Sequence, residues 1–321
     1  MTYISILLIL LVLELVYFKL ADHFNIIDKP NERSSHSTVT LRGGGIIFYF
    51  GALAYFLLSG FQYPYFFVGL TFMTFISFLD DIFTLSNKLR LFVHFSSVLL
   101  MAYQLDLFQM TWYYLLIGFV FVVGVINAYN FMDGINGMTA CYSLSVGGLL
   151  MAVNQDIHFI DQDLLIFSLL GVLVFFFFNF RTRAKCFAGD VGSVSIAYIL
   201  LFALGTLILI SGNLIYILFL AIYGIDAVWT IIQRLYRKEN IFEAHRSHLY
   251  QFLGNEAKIN KLYISFFYGF IQFLIGWVVI LISKENVMIQ SIVAGGIIGA
   301  LSLIYLIVKD YVIKKYVKKM V

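Results

Sequence analysis

The sequence predicts an all-α, polytopic membrane bundle. Three observations predict it: 61% of the 321 residues are hydrophobic, only 12% are charged, and 34 are Phe. One soluble core cannot bury that much apolar surface. Apolar runs of roughly 17 to 22 residues recur along nearly the whole chain, matching the roughly 20 residues that cross a hydrocarbon layer as a helix. They are too long and continuous for barrel strands, and only helices or closed barrels satisfy their backbone in lipid.

Eleven spans are expected, at 3–20, 44–60, 64–79, 90–104, 112–128, 138–153, 164–180, 193–211, 213–233, 262–282 and 288–308. The first is read as a helix rather than a cleaved leader, because no basic residue precedes it and Lys19 follows it. With the N-terminus outside, the inside loops hold Lys29, Arg33, Arg42, Lys88, Arg90, Arg181, Arg183, Lys185 and the basic residues from Arg234 to Lys261, and the basic tail is also inside. Lys284 alone lies outside, which predicts an N-out, C-in topology. A net charge of +3 gives no case for a nucleic-acid partner. Cys141 and Cys186 offer neither a disulfide framework nor metal-ligand spacing.

No linker or charge block divides the chain, so 1–321 reads as one domain. The outside turns are short, and the longest outside segment, 154–163, carries no basic residue. Nearly everything capable of chemistry sits in five inside loops, at 21–43, 80–89, 129–137, 181–192 and 234–261. Loops so far apart in sequence build one site only if topology puts them on one side.

The third span ends in Asp80-Asp81, adjacent carboxylates at the lipid boundary, where burial is costly and like charges repel. They fit Mg²⁺, which takes oxygen ligands and substrate phosphates; a solvated helix end is the plain alternative. In Asn127-Ala-Tyr-Asn130-Phe-Met-Asp133-Gly-Ile-Asn136-Gly137 a helix breaks into amides, a carboxylate and two glycines that let a ligand approach the backbone, suiting a nucleobase or ribose edge. Gly189-Asp190-Val191-Gly192 opens a span; Asp190 is either a ligand-site carboxylate or an N-cap. His245-Arg246-Ser247-His248 offers donors for a diphosphate, with zinc as a rival that lacks a third ligand at matching spacing. The first loop brings Arg33, His36 and Arg42 to Gly43-Gly44-Gly45, able to clamp phosphate, although a topogenic loop is equally basic.

Plain readings serve elsewhere. Phe175–Phe178 is expected to face lipid, and Gly295, Gly296 and Gly299 to permit close helix packing. Glu14 and His94 are expected to be satisfied inside the bundle, and Asp226 is the intramembrane acid best placed for function.

In this order, the five segments from about Asp28 to Gln251 resemble the polyprenyl-phosphate N-acetylhexosamine 1-phosphate transferases. The resemblance implies a Mg²⁺-dependent exchange, with Mn²⁺ as a substitute. Polyprenyl (undecaprenyl) phosphate attacks a UDP-sugar, UMP leaves, and a lipid-linked surface polysaccharide such as lipopolysaccharide O-antigen is begun at the cytoplasmic face of a bacterial inner membrane. It implies catalytic roles for Asp80, Asp81, His245 and His248, metal binding by Asp190 with Asp81, and substrate binding by Arg33, His36, Arg42, Asn127, Asn130, Asp133, Asn136 and Arg246. A homodimer is the candidate assembly, within membrane lipid.

Two departures stand out: Asn136 replaces the second aspartate of Asp-Gly-x-Asp-Gly, and Val39 and Leu41 replace first-loop prolines. The late motif, His-Arg-Ser-His then Leu-Tyr-Gln, is similar to the O-antigen initiator branch rather than to phospho-MurNAc-pentapeptide translocase, so the donor is expected to be UDP-GlcNAc or a 6-deoxy relative such as UDP-FucNAc or UDP-QuiNAc. Direct attack by the carrier is favoured over a covalent enzyme intermediate. Among rivals, Asp80-Asp81-Ile-Phe-Thr84 lacks the third aspartate of prenyl-diphosphate enzymes, and Asp133-Gly134 lacks the later aspartates of phosphatidyltransferases. A transporter predicts polar groups at mid-membrane in both halves.

Overall fold

A computed structural model describes residues 2–29, 38–83, 85–240 and 246–317. Arg33, His36 and His245 lie outside the described residues. The expected spans appear as α1 (Tyr3–His23), α2 (Ile46–Leu58), α3 (Pro64–Phe83), α4 (Asn87–Gln104), α5 (Trp112–Met132), α6 (Met138–Ile157), α7 (Gln162–Asn179), α8 (Gly189–Ser211) and α9 (Ala221–Tyr236). A single turn, α10 (Leu249–Gln251), precedes α11 (Lys261–Ile282) and α12 (Val287–Val312). The ninth span differs from expectation in entering through a 3-10 segment, Leu214–Leu220, before α9 begins. Among the described residues eight helical stretches are long and apolar enough to cross a membrane; α4 and α6 are not among them, and α2, at 13 residues, is shorter.

Helix α8 is apolar all round and correspondingly central, with α2, α3, α5 and α6 packed about it. Its close approach to α2 depends on Gly45 and Gly192, since a Cβ on Gly45 would meet the Gly192 Cα and come within 2.9 Å of the Ala188 carbonyl oxygen. Gly45→Ala is therefore expected to destabilise the bundle by about 1–3 kcal/mol, the usual cost of overpacking. Gly118→Ala, where a Cβ meets nothing within 4 Å, should be near neutral, and thermal unfolding in detergent compares the two.

Large apolar side chains stay exposed along α1, α4, α5, α11 and α12, as a lipid-facing surface requires. Two expectations need correction. Phe175 is fully buried and Phe178 nearly so, leaving Phe177 as the outward ring of that run. Successive residues of a helix point about 100° apart, so four in a row cannot all face lipid. Gly295, Gly296 and Gly299 lie on the outer face of α12, with nothing among the described residues near enough to pack against them.

The helices meet at one pole. Tyr17 near the end of α1 donates to the Arg42 carbonyl just before α2, and Ser265 near the start of α11 donates to the Asn136 carbonyl before α6. Asn179, ending α7, accepts from Gly137 N–H and donates to the Cys186 carbonyl. A two-residue ribbon, β1 (Ile27–Asp28) against β2 (Thr40–Leu41), is antiparallel, and Leu41 also bridges to Cys186. This stitches the first loop to the segment leading into α8.

Candidate active site

At that pole the end of α3, the start of α4 and the start of α8 bring three carboxylates against two guanidiniums. Arg42 Nε lies 2.7 Å from Asp81 and its Nη2 3.5 Å from Asp190; Arg90 lies 2.7 Å from Asp80 and 3.3 Å from Asp190. Arg42 and Arg90 thus grip Asp190 from opposite sides.

Asp81, its side chain fully shielded from solvent, accepts the backbone N–H groups of Asp190 at 3.0 Å and Val191 at 3.1 Å. These are first-turn donors of α8, which no local side chain caps, so Asp81 caps the helix from a distant part of the chain. The N-cap alternative for Asp190 gives way accordingly: Asp190 sits inside the first turn, and the capping side chain is Asp81. Gly189 holds the turn at φ +71°, and a Cβ there would stand 2.5 Å from the Asp81 carboxylate, so both conformation and space select glycine.

Beside the cluster is a cavity of about 240 Å³ lined by Asp28, Arg42, Asn130, Asp133, Asn136 and Asp190, among others. Asp133, immediately after α5, accepts from the Thr139 hydroxyl at 2.6 Å. Burial pushes its carboxyl up to about 7, and the neighbouring Asp190 and Asp81 charges act in the same direction. The folded state therefore holds this proton more tightly than the unfolded chain, whose carboxyl titrates near 4. Asp133 should make the fold lose stability as pH rises from about 4 to about 7. Asp133→Asn should flatten that part of the thermal-stability profile.

Asn136 also lines the cavity, and its amide donates to the Arg181 carbonyl at 2.7 Å. A carboxylate there would face that oxygen as acceptor to acceptor, which gives the departure from Asp-Gly-x-Asp-Gly a local reason. Asn127 does not line the cavity: it is exposed, and its amide donates to the Val123 carbonyl one turn back.

The late motif divides. Arg246 lies 3.8 Å from Glu256 and lines a second cavity. His248 is buried, its Nδ1 3.0 Å from Asp226, while Gln251, three residues on, reaches the first cavity. Asp226 also accepts from Leu249 N–H and from the Tyr268 hydroxyl, so it draws the Arg246–Gln251 segment onto the bundle. Glu14 does not meet the expectation of being satisfied: one carboxylate oxygen lies 3.6 Å from the Cys186 thiol and the other has no hydrogen-bond partner among the described residues.

Sequence reasoning missed Arg90 and Asn179. Arg90 was readable in principle: a cation in the first turn of a helix opposes the dipole, which asks for an acidic partner. For Asn179 the one available signal is a polar residue at the end of an apolar run.

Among the described residues no group of three or more His, Cys, Asp or Glu side chains is arranged to hold a metal ion. Mg²⁺, however, usually needs only one or two carboxylates plus substrate phosphates. The cluster's surplus carboxylate suits that mode. Asp190 lines the cavity, whereas the oxygens of Asp81 are taken by Arg42 and the α8 backbone.

Residues 63–212, which carry Asp80, Asp81, Arg90, Asp133, Asn179 and Asp190, match the model of glycosyl transferase family 4. This stretch is similar to that family. It is 27% identical to a probable undecaprenyl-phosphate N-acetylglucosaminyl 1-phosphate transferase of Bacillus subtilis, covering 77% of this chain and 74% of the relative. It is 26% identical to the undecaprenyl-phosphate α-N-acetylglucosaminyl 1-phosphate transferase of Yersinia pestis, over 73% and 71% of the two chains. A shorter stretch, 37% of this chain and 36% of the relative, is 35% identical to the phospho-N-acetylmuramoyl-pentapeptide-transferase of Lactococcus lactis. The Bacillus and Yersinia proteins thus match about twice the share of this chain that the Lactococcus protein does.

Proposed function

We propose that this protein is a family 4 glycosyl transferase that moves an N-acetylhexosamine 1-phosphate from a UDP-sugar to undecaprenyl phosphate, releasing UMP, at the cytoplasmic face of a bacterial inner membrane. The observation that carries this reading is the Asp80–Asp81–Asp190 cluster, bridged by Arg42 and Arg90, at one end of a membrane bundle and beside a polar cavity. The names of the long-matching relatives support GlcNAc 1-phosphate as the transferred group.

The chemistry requires two phosphate-bearing anions to meet. An oxygen of the carrier phosphate attacks the β-phosphorus of the donor, the bond from that phosphorus to the bridging oxygen breaks, and UMP leaves with the electron pair. Arg42 and Arg90 are placed to offset charge as it builds on the phosphoryl oxygens. Asp190 would hold Mg²⁺ together with the substrate phosphates, and the ion would supply further charge neutralisation. Asp81 positions Asp190 and Arg42 rather than facing the cavity. Exposed Phe83, Leu91 and Phe92, in sequence beside Asp80 and Arg90, leave an apolar flank for the polyprenyl tail. The product would start a lipid-linked surface polysaccharide such as O-antigen.

Purified protein with Mg²⁺, undecaprenyl phosphate and a panel of UDP-sugars should release UMP with at least one donor, UDP-GlcNAc or a 6-deoxy N-acetylhexosamine being expected. Asp190→Asn should lose most of that release while unfolding at an unchanged temperature. No UMP with any donor, or full activity in Asp190→Asn, would count against the assignment.

A further inference from the structure

A second cavity of about 800 Å³ adjoins the first, the two sharing Asn136 and Phe187 in their walls. Its charge is the reverse of its neighbour's. Among the described residues, Arg181, Arg183, Arg246, Lys258 and Lys261 line it against a single carboxylate, Glu256, whereas Asp28, Asp133 and Asp190 face Arg42 alone in the first. Glu256 is engaged by Arg246, and the Arg181 guanidinium sits 4.6 Å over the Phe177 ring. Among the described residues Arg183, Lys258 and Lys261 have no carboxylate partner. The first residues of α11, Lys261 and Leu262, form part of the wall, so the positive end of a 22-residue helix adds to the field. Unpaired like charges gathered around one hollow repel one another, and an anion relieves them.

Size points the same way. The first cavity, about 240 Å³, is smaller than the roughly 300–1,000 Å³ typical of small-molecule sites, so a sugar nucleotide must extend past Asn136 and Phe187. An approaching diphosphate would meet net negative charge in the first cavity unless a cation were already there, and net positive charge in the second.

We propose that the basic cavity is a landing site for the phosphate of the donor nucleotide, one that forms without a divalent cation and precedes entry into the acidic cavity. This rests on reading the donor as a sugar nucleotide. A lipid headgroup phosphodiester shares the recognition chemistry, and the test separates the two sources.

The full chain in nanodiscs of zwitterionic lipid is titrated with UMP in EDTA by calorimetry. Saturable binding that weakens with added salt is expected. Arg183→Glu/Lys258→Glu, both at exposed side chains, should weaken it by about tenfold or more, and should lower kcat/KM for the UDP-sugar in Mg²⁺ chiefly through KM. Arg183→Gln/Lys258→Gln should fall between, guarding against a folding artefact. UMP binding only in Mg²⁺, or equal affinity in the charge-reversed protein, would overturn the proposal. So would affinity lost when phosphatidylglycerol is included, since headgroups would then own the cavity; equal affinity in both lipids supports the nucleotide. A parent chain that binds UMP but releases none from any UDP-sugar sinks the transferase reading and leaves this one standing.

Discussion

Asp81→Asn is expected to lower UMP release by about a hundredfold to a thousandfold, because the side chain organises three partners at once. Its carboxylate accepts from the N–H groups of Asp190 and Val191 and pairs with Arg42 at 2.7 Å, fully shielded from water. The isosteric amide turns one acceptor into a donor, aimed at a backbone N–H or a guanidinium, and leaves Arg42 short of a buried counter-charge. Removing one member of a buried pair costs about 3–5 kcal/mol, and each 1.4 kcal/mol is tenfold. The α8 start and Arg42 should shift together, so Asp190 loses its placement although it is untouched. Steady-state UMP release, with thermal unfolding alongside, checks this. Activity near the parent level would mean that the capping of α8 by Asp81 does not matter to the reaction.

The second large effect is expected from Asp226→Asn. This buried carboxylate pairs with His248 Nδ1 at 3.0 Å and accepts from Leu249 N–H at 3.2 Å and the Tyr268 hydroxyl at 2.9 Å. It also ties the last helix in, since Thr230 lies 3.3 Å from Asp226 and 2.9 Å from the Tyr305 hydroxyl, which Lys309 reaches at 2.6 Å. The amide should cost about 3 kcal/mol, most of it felt as local release of the Arg246–Gln251 segment. That equals roughly a hundredfold loss of hydrogen-exchange protection at Leu249–Gln251. Because Arg246 and Gln251 reach the two cavities from this segment, KM for the donor should rise more than kcat falls. Unchanged exchange together with unchanged KM would show that Asp226 does not position the segment.

The two variants also mark the limit of what sequence showed. Asp80, Asp81, Asp133 and Asp190 stood out because a charge at the end of an apolar run is expensive and needs a reason. The reason itself was not legible: Asp81 looked like a metal ligand by resemblance, yet its oxygens serve the start of α8, 109 residues away. Arg90 passed for a topogenic charge beside Lys88 until the structure placed it between Asp80 and Asp190. His248 looked like a donor to diphosphate, and folding turns its Nδ1 toward Asp226.

What the sequence determined by itself was the all-α bundle, the order and approximate bounds of its helices and the clustering of polar groups at the helix ends. Each of these follows from the local length of apolar runs against the thickness of a bilayer, which a single stretch of chain carries unaided. Only the tertiary structure decided that Asp81 caps α8, that Asn136 tethers the Arg181 segment, that Phe175 faces inward, and that an acidic and a basic cavity adjoin. Those outcomes depend on how each helix is rotated and raised against its neighbours. In lipid, which separates apolar faces only weakly, that is settled by close packing and by hydrogen bonds between residues distant in the chain.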